Sequence, residues 1–396
     1  MSEPQFWDVL IAGAGPAGAE LAWRLADAGS RVLLVDPLVD LQRHAFSSAA
    51  LPLSAVRHYG IPDHVVASRW DRWQLIGPDE TRRQWQGQSC LGAVLDFGAL
   101  RCWMARRASA AGVQLELGWR AAHSIPEGGD WVHTELRGPA GAIRSVRSRF
   151  VIDATGQSRA LIGESEQPLV SGAGVEWLVR VDPQAWQRWS NRLAFALGSR
   201  WVPQGYGWVF PMRPGELKLG VCRLHDPSRQ QPPLYRLLQG LIERLEIRPL
   251  EVLDRHGGLI RSSIDRREPH QRGRLLALGD AVSTANLLGG EGIRHALSSA
   301  AVLAPLLQQA LTGDLRCLEH YPARLRRQLG WRWSLSGRLA RRTWLGLRNR
   351  RADARLQRLL AGLEASASAE TLSDLLFEYR FERYGLKALP YLLGWR

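Results

Sequence analysis

The stretch Asp8–Asp36, DVLIAGAGPAGAELAWRLADAGSRVLLVD, constrains the fold more than any other part of the chain. Val9–Ala12 is a short apolar run of the kind a strand buried on both faces needs, and it ends at Gly13, Gly15 and Gly18 in G-x-G-x-x-G spacing. Gly13 permits a tight turn, Gly15 leaves no Cβ to block a pyrophosphate, and Gly18 lets the next helix lie close to the strand. That helix is expected over Pro16–Ala28, with Pro16 and Ala17 in its first positions and Gly29 closing it. It points unpaired N–H groups and its positive end at the turn. A second apolar strand, Val32–Val35, delivers Asp36 18 residues after Gly18. A carboxylate there accepts the hydroxyls of an adenosine ribose and disfavours a 2′-phosphate, so the unit suits FAD or NAD rather than NADP.

Further landmarks follow in order. Trp70–Leu91 mixes aromatic, aliphatic and polar residues as paired strands do. A helix over Phe97–Ala111 leads to a strand over Val113–Leu117, and Phe150–Gly156, FVIDATG, is an apolar strand running into a turn. Asp153 and the backbone up to Gly156 are placed to approach the dinucleotide from the side opposite the first turn. From Gly174 to about Asp265 the pattern alternates in period two, interrupted by a helix over Pro233–Leu245. Arg274–Asp280, RLLALGD, is another buried strand with a terminal acid, and Gly290, Gly292 and Ile293 then open a helix to Leu311. The expected fold is therefore α/β. A Rossmann-type FAD-binding domain is assembled from 1–70, 92–165 and 270–318, with an antiparallel-sheet substrate domain inserted as 71–91 and 166–269, and a basic helical C-terminal region over 319–396.

With these landmarks in sequence, the chain resembles the flavoprotein superfamily of para-hydroxybenzoate-hydroxylase-like monooxygenases, lycopene cyclases, flavin halogenases and geranylgeranyl reductases, over roughly residues 5–315. The nearest likeness is to geranylgeranyl reductases. It rests on GYGWVFP, whose Tyr206, Trp208, Phe210 and Pro211 are similar to the Y-x-W-x-F-P signature lining their prenyl cavity, and on GGEGIRHAL, similar to their G-E-G-I helix start. The resemblance implies that GAGPAG binds the FAD pyrophosphate, that Gly279 and Asp280 meet the ribityl and phosphate region, and that Gly290–Ile293 aims a helix end at the flavin pyrimidine edge. Departures are present. His44-Ala45-Phe46-Ser47-Ser48 stands where many relatives carry a Cys-Gly pair, Asn286 and Leu287 replace an expected proline, and Phe97 occupies the place of an FAD-contacting arginine, leaving Arg101 as its substitute.

The implied reaction is hydride transfer from reduced flavin to a C=C bond of a hydrophobic, isoprenoid substrate, with NAD(P)H or ferredoxin as transient electron donor. Alternation puts Tyr206, Trp208 and Phe210 on one face of a strand, so three rings form one wall; the competing reading is a core aromatic ladder. A proton must reach the neighbouring carbon, and His44, Ser47, Ser48 and Glu291 are the residues near the ring able to supply it. The alternatives are a monooxygenase of an aromatic or polyene substrate, a lycopene-cyclase-like enzyme without net redox change, and a flavin-bearing assembly factor. A halogenase fits less well because Lys218 and Lys387 are the only lysines.

Composition bounds the rest. At 45% hydrophobic and 23% charged the chain is globular, and the scattered Cys90, Cys102, Cys222 and Cys317 match no metal spacing, so no metal is expected. Glu3 precedes the first strand without a secretory pattern, and Ala296–Gly313 reads as a packed helix; a cytoplasmic location follows, with peripheral placement on an inner or thylakoid membrane surface as an option. The net charge of +14 is concentrated between Arg324 and Arg358, where twelve arginines face one acid, Asp353, among Trp331, Trp333, Trp344 and several leucines. Such a helix either lies on an anionic membrane surface or packs its apolar side on the body. No nucleic-acid recognition fold accompanies the charge.

Overall fold

Strands Phe6–Ala12, Val32–Asp36, Gln114–Leu117, Ile143–Asp153 and Leu275–Ala277 pair in parallel in the order Leu275, Ile143, Phe6, Val32, Gln114 from one edge to the other. Val9–Ile11 and Val32–Val35 are almost wholly buried, because helices cover one face and further sheet the other; each such side chain contributes about 1.5–3 kcal/mol on burial. The helices Pro16–Asp27, Phe97–Ala110 and Ile293–Leu311 share one core with the sheet. The computed structural model describes residues 6–44, 46–264 and 267–384; Glu3, Ala45, Asp265 and Lys387, and the ends of the expected segments 1–70 and 319–396, lie outside the described residues.

A hairpin of Arg120–Glu127 and Trp131–Arg137 extends this sheet from the N-terminal half of Ile143–Asp153 and covers its other face. The sequence pattern gave no warning of it. A three-stranded sheet of Ala50–Pro52, Val66–Trp70 and Gly92–Leu95 lies beside the parallel sheet.

The second large sheet has seven strands among the described residues: Glu251–Ser262, Val170–Arg180, Glu216–Leu224, Gly205–Pro211, Arg192–Leu197, Arg72–Ile76 and Arg82–Gln86, in that order across it. Neighbours run antiparallel except Arg192–Leu197 with Arg72–Ile76. Its back, with Val175, Val179, Val209, Leu219 and Val221, packs on the helix Leu234–Arg244.

Beyond Ile293–Leu311, where Pro305 is accommodated within the helix, three α-helices follow among the described residues: Tyr321–Gly346, Arg350–Ser366 and Ala369–Phe377. The first is broken at Gly330, whose φ of 79° is non-helical. No helix among the described residues is long and apolar enough to cross a membrane.

Candidate functional site

The turn after the first strand is shaped by contacts that leave no room for side chains. Gly13 has φ +110°, and a Cβ on it would lie 2.3 Å from the Ala154 carbonyl oxygen; one on Gly18 would lie 2.0 Å from the Gly13 oxygen. These two glycines therefore close the helix and the neighbouring turn onto the strand. Gly15 is different: a Cβ there meets nothing within 4 Å, so the space beside the turn is open. Asp36 accepts the Ala14 N–H at 2.8 Å and the Leu38 N–H at 2.9 Å, which presents its carboxylate beside the turn. Arg101, on the helix Phe97–Ala110, lies within the field of Asp36. Burial lowers its pKa against that charge, one terminal nitrogen is bonded to the Arg43 carbonyl, and its buried Nε has no hydrogen-bond partner among the described residues.

Gly279 (φ +61°) brings the second turn within 2.7 Å of Ala17 Cβ, counted from the Cβ it lacks, so both turns meet at the start of the first helix. Asp280 is half-buried beside Gly292 and accepts the Thr284 hydroxyl at 2.9 Å; desolvation raises its pKa. Open glycines at Gly15 and Gly156, an orphaned buried guanidinium nitrogen and a carboxylate at the strand tip together fit an adenine dinucleotide. Asp153 departs from expectation. Its carboxylate accepts the N–H groups of Thr155, Leu161 and Ile162 and the Thr155 hydroxyl, so it folds its own loop and has little capacity left for a ligand.

The seven-stranded sheet turns one face toward this region, and its register defines a lattice of side chains. Tyr206, Cys222, Gly174 and Gly258 lie opposite one another across four strands; so do Trp208, Gly220, Glu176 and His256, and then Phe210, Lys218, Leu178 and Asp254. The rings of Tyr206, Trp208 and Phe210 therefore form a wall, with Phe195 against Tyr206 and Phe210. Trp208 lies flat over Gly220, where a Cβ would come within 2.0 Å of the indole. Tyr206 and Cys222 contact each other, and burial keeps both protonated, the thiol pushed up to about 12. Gly290 (φ +66°) sits over Tyr206 and Ile260, so the start of the helix Ile293–Leu311 rests on this wall. Pro211 closes the strand, its carbonyl accepting the Ser68 hydroxyl.

The chain is 28% identical over 326 residues, 78% of either sequence, to the digeranylgeranylglycerophospholipid reductase of Haloferax volcanii. It is an FAD-dependent oxidoreductase, similar in sequence to geranylgeranyl reductases. A geranylgeranyl bacteriochlorophyll reductase-like protein of Thermoplasma acidophilum shares the fold with a TM-score of 0.81 at 20% identity, over 98% of this chain and 99% of that one. The fold is shared also with p-nitrophenol 4-monooxygenase of Pseudomonas putida, at a TM-score of 0.72 and 18% identity over 95% and 98% of the two chains. No family model matches the sequence.

In this oxidoreductase the C-terminal region covers the aromatic wall. Leu360, Leu363, Leu372 and Phe377 share a core with Trp73, Tyr206, Trp208 and Phe210, and the Trp344 ring lies 5.0 Å from Tyr206. Trp333 and Leu347 are buried as well, so the apolar side expected to reach a bilayer packs largely on the body; Trp331, 64% exposed, is the exception. The cover is pinned by a buried network. Arg294 pairs with Glu291 at 2.7 Å and bonds the Phe377 carbonyl, and Tyr379 donates to Glu291 at 2.8 Å while lying 2.9 Å from His295 Nε2.

Of the four expected proton donors, Glu291 is thereby corrected to an anchor. Burial alone raises a carboxyl, but the charges of Arg294 and His295 outweigh it and hold Glu291 down at about 2, so it is ionised at working pH. His44 is exposed with φ 51°, Ser47 Oγ accepts the Ala49 N–H, and Ser48 is half-buried in the same loop. Three charged residues on the wall escaped the sequence reading: Glu176, Asp254 and His256. Lys218 had been set aside, yet it is 4% exposed, lies 3.8 Å from Glu176 and donates to the Ser47 carbonyl at 2.5 Å. A glutamate and a lysine inside period-two apolar runs were the available signal.

Proposed function

We propose that this protein reduces C=C bonds of an isoprenoid chain held between the aromatic wall and the C-terminal helices. The observation that carries the reading is the sheet face that carries Tyr206, Trp208 and Phe210 together, with Tyr206 against Gly290 of the cofactor-side helix start. The relatives' names point the same way. Bound flavin, once reduced, would supply the hydride. The first turn and Asp36 would hold its dinucleotide, Arg101 would offer a free guanidinium nitrogen, and the start of the helix at Gly292–Ile293 would stabilise negative charge by its positive end. The apolar wall and its cover exclude water and align the chain. NAD(P)H or ferredoxin delivers the electrons as a transient partner.

The test is anaerobic. Protein whose flavin has been reduced with dithionite is mixed with geranylgeranyl diphosphate, and the oxidised flavin spectrum is expected to return with formation of a saturated product. Reoxidation that requires oxygen, with oxygen incorporated into product, would transfer the protein to the monooxygenases that share its fold.

A further inference from the structure

The wall contains a hydrogen-bonded chain of charges that packing does not require. His256 Nδ1 lies 2.7 Å from Asp254 Oδ2 and Nε2 lies 3.1 Å from Glu176 Oε1. Two carboxylates face the two ring nitrogens, and only the imidazolium has a proton for each. Glu176 is completely buried; its second oxygen accepts the Trp208 indole N–H at 2.8 Å, and Lys218 Nζ stands 3.8 Å from the first. Lys218 in turn reaches the loop carrying Ser47 and Ser48, while Phe46 of that loop packs edge-on to the His256 ring at 5.0 Å and over Gly258. At the other end the Asp254 side chain is 52% exposed, on an edge strand of the sheet. The chain thus runs from solvent at Asp254, through His256 and Glu176, to an ammonium group on the dry wall.

We propose that Asp254, His256, Glu176 and Lys218 form the proton supply of the reaction, with Lys218 as donor. This rests on the reductase reading above. Addition of a hydride to one carbon of a C=C bond leaves the other carbon to be protonated. The Lys218 N–H bond breaks as a C–H bond forms, and both electrons of the reduction come with the hydride. The neutral amine then recovers a proton from His256 by way of Glu176, and His256 recovers one from water by way of Asp254. Burial disfavours the imidazolium, but hydrogen bonds and charge from Glu176, and then Asp254, outweigh it and raise the His256 pKa. The charged groups facing the ring are those two carboxylates and, beyond Glu176, Lys218; Arg255 on the same strand stacks on Trp177 instead.

The experiment uses the FAD-loaded full chain with ¹⁵N-labelled histidine, in wild type and in D254N, E176Q, H256Q and K218M. NMR titration is expected to show His256 doubly protonated at neutral pH, with its pKa lowered in D254N and in E176Q. Flavin reoxidation by geranylgeranyl diphosphate is expected to slow about a hundredfold in K218M and about tenfold in H256Q, with a larger solvent deuterium effect in H256Q, while dithionite reduction and FAD retention stay as in wild type. A neutral His256 at pH 7, or unchanged rates and isotope effects in K218M and H256Q, overturns the proposal. If wild type itself is not reoxidised by this probe, the isoprenoid reading fails separately, and the histidine titration still decides whether the charged chain exists.

Discussion

Replacing Gly220 by alanine isolates the contact on which the aromatic wall is built. The added Cβ would lie 2.0 Å from Trp208 Cζ2 and 2.2 Å from Cε2, and Gly220 sits in extended backbone that alanine adopts freely, so the clash is the whole perturbation. The indole cannot slide along the sheet, because Tyr206 and Phe210 flank it on its own strand. It must tilt, which costs about 1–3 kcal/mol as overpacking. Tilting also breaks the 2.8 Å bond from Nε1 to the buried Glu176, and a lost hydrogen bond to a charged group adds about 1.5–3 kcal/mol. The expected destabilisation is about 3–5 kcal/mol, a large share of an ordinary folding free energy of about 5–15 kcal/mol. Urea unfolding followed by tryptophan emission measures it, and the same substitution in a W208A background supplies the control. With the indole gone, G220A is expected to cost less than about 1 kcal/mol, so the two changes couple by at least about 2 kcal/mol. A destabilisation that is the same in both backgrounds would refute the reasoning.

The turn glycines separate a cofactor role from a folding role. G15V is expected to melt like wild type in the absence of FAD yet to bind no yellow cofactor, whereas G18V, whose Cβ meets the Gly13 oxygen, is expected to lower the melting temperature of the apo protein; equal melting of the two variants would remove the distinction. Glu291, held at about 2 against an ordinary 4.5, contributes stability that is fully present above pH 4.5 and is lost as pH falls through about 2, on the order of 3 kcal/mol at about 1.4 kcal/mol per pH unit. E291Q is therefore expected to be less stable than wild type at pH 7 and to lose the difference in that acid window, read by urea unfolding at each pH. For the basic arm, the inward-facing Leu360, Leu363 and Phe377 leave the exposed arginines as its outer surface, so co-sedimentation with anionic vesicles is expected at low salt and release at 0.5 M salt. Retention on neutral vesicles would indicate insertion instead.

Much of the cofactor side was legible because its signals are local. The glycine spacing, the apolar strands and Asp36 occur within Asp8–Asp36, and the strand–turn–helix around Gly279 and Ile293 repeats the pattern. The helix Phe97–Ala110 was one residue shorter than expected. The hairpin at Arg120–Arg137 escaped because its inward positions alternate Ala121, Val132, Thr134 and Leu136 with charged residues over short runs. Strands of three to five residues, such as Ala50–Pro52, are too short to show a period at all. Asp153 was misread because a carboxylate at a strand tip serves a ligand or its own loop equally well, and only the three N–H groups converging on it decide between them. Glu291 was misread for a related reason: Arg294 and His295 are its sequence neighbours on the helix, but Tyr379 comes from 88 residues away. The charged chain on the wall is a property of register, since Glu176, Lys218 and His256 belong to three strands whose alignment the sequence does not print.

Stability gives no reason for that chain to be charged. Removing two ions from water costs several kcal/mol each, and apolar residues of similar volume would fill such a face as well or better. Trp208 needs only an acceptor for its indole N–H, which a glutamine provides, and the Ser47 carbonyl needs only a donor. What the neutral substitutes lack is a group that takes up and gives back protons. In this sheet that group, His256, is bonded outward to a half-exposed Asp254 and inward to a carboxylate with no exposure whatever. A chain wet at one end and dry at the other has direction, which a packing arrangement does not need and a proton path does. Its dry end is an ammonium seated among Phe210, Leu178 and the Ser47 carbonyl, on the same wall as the three rings, which is where a double bond lying along that wall would require its second hydrogen.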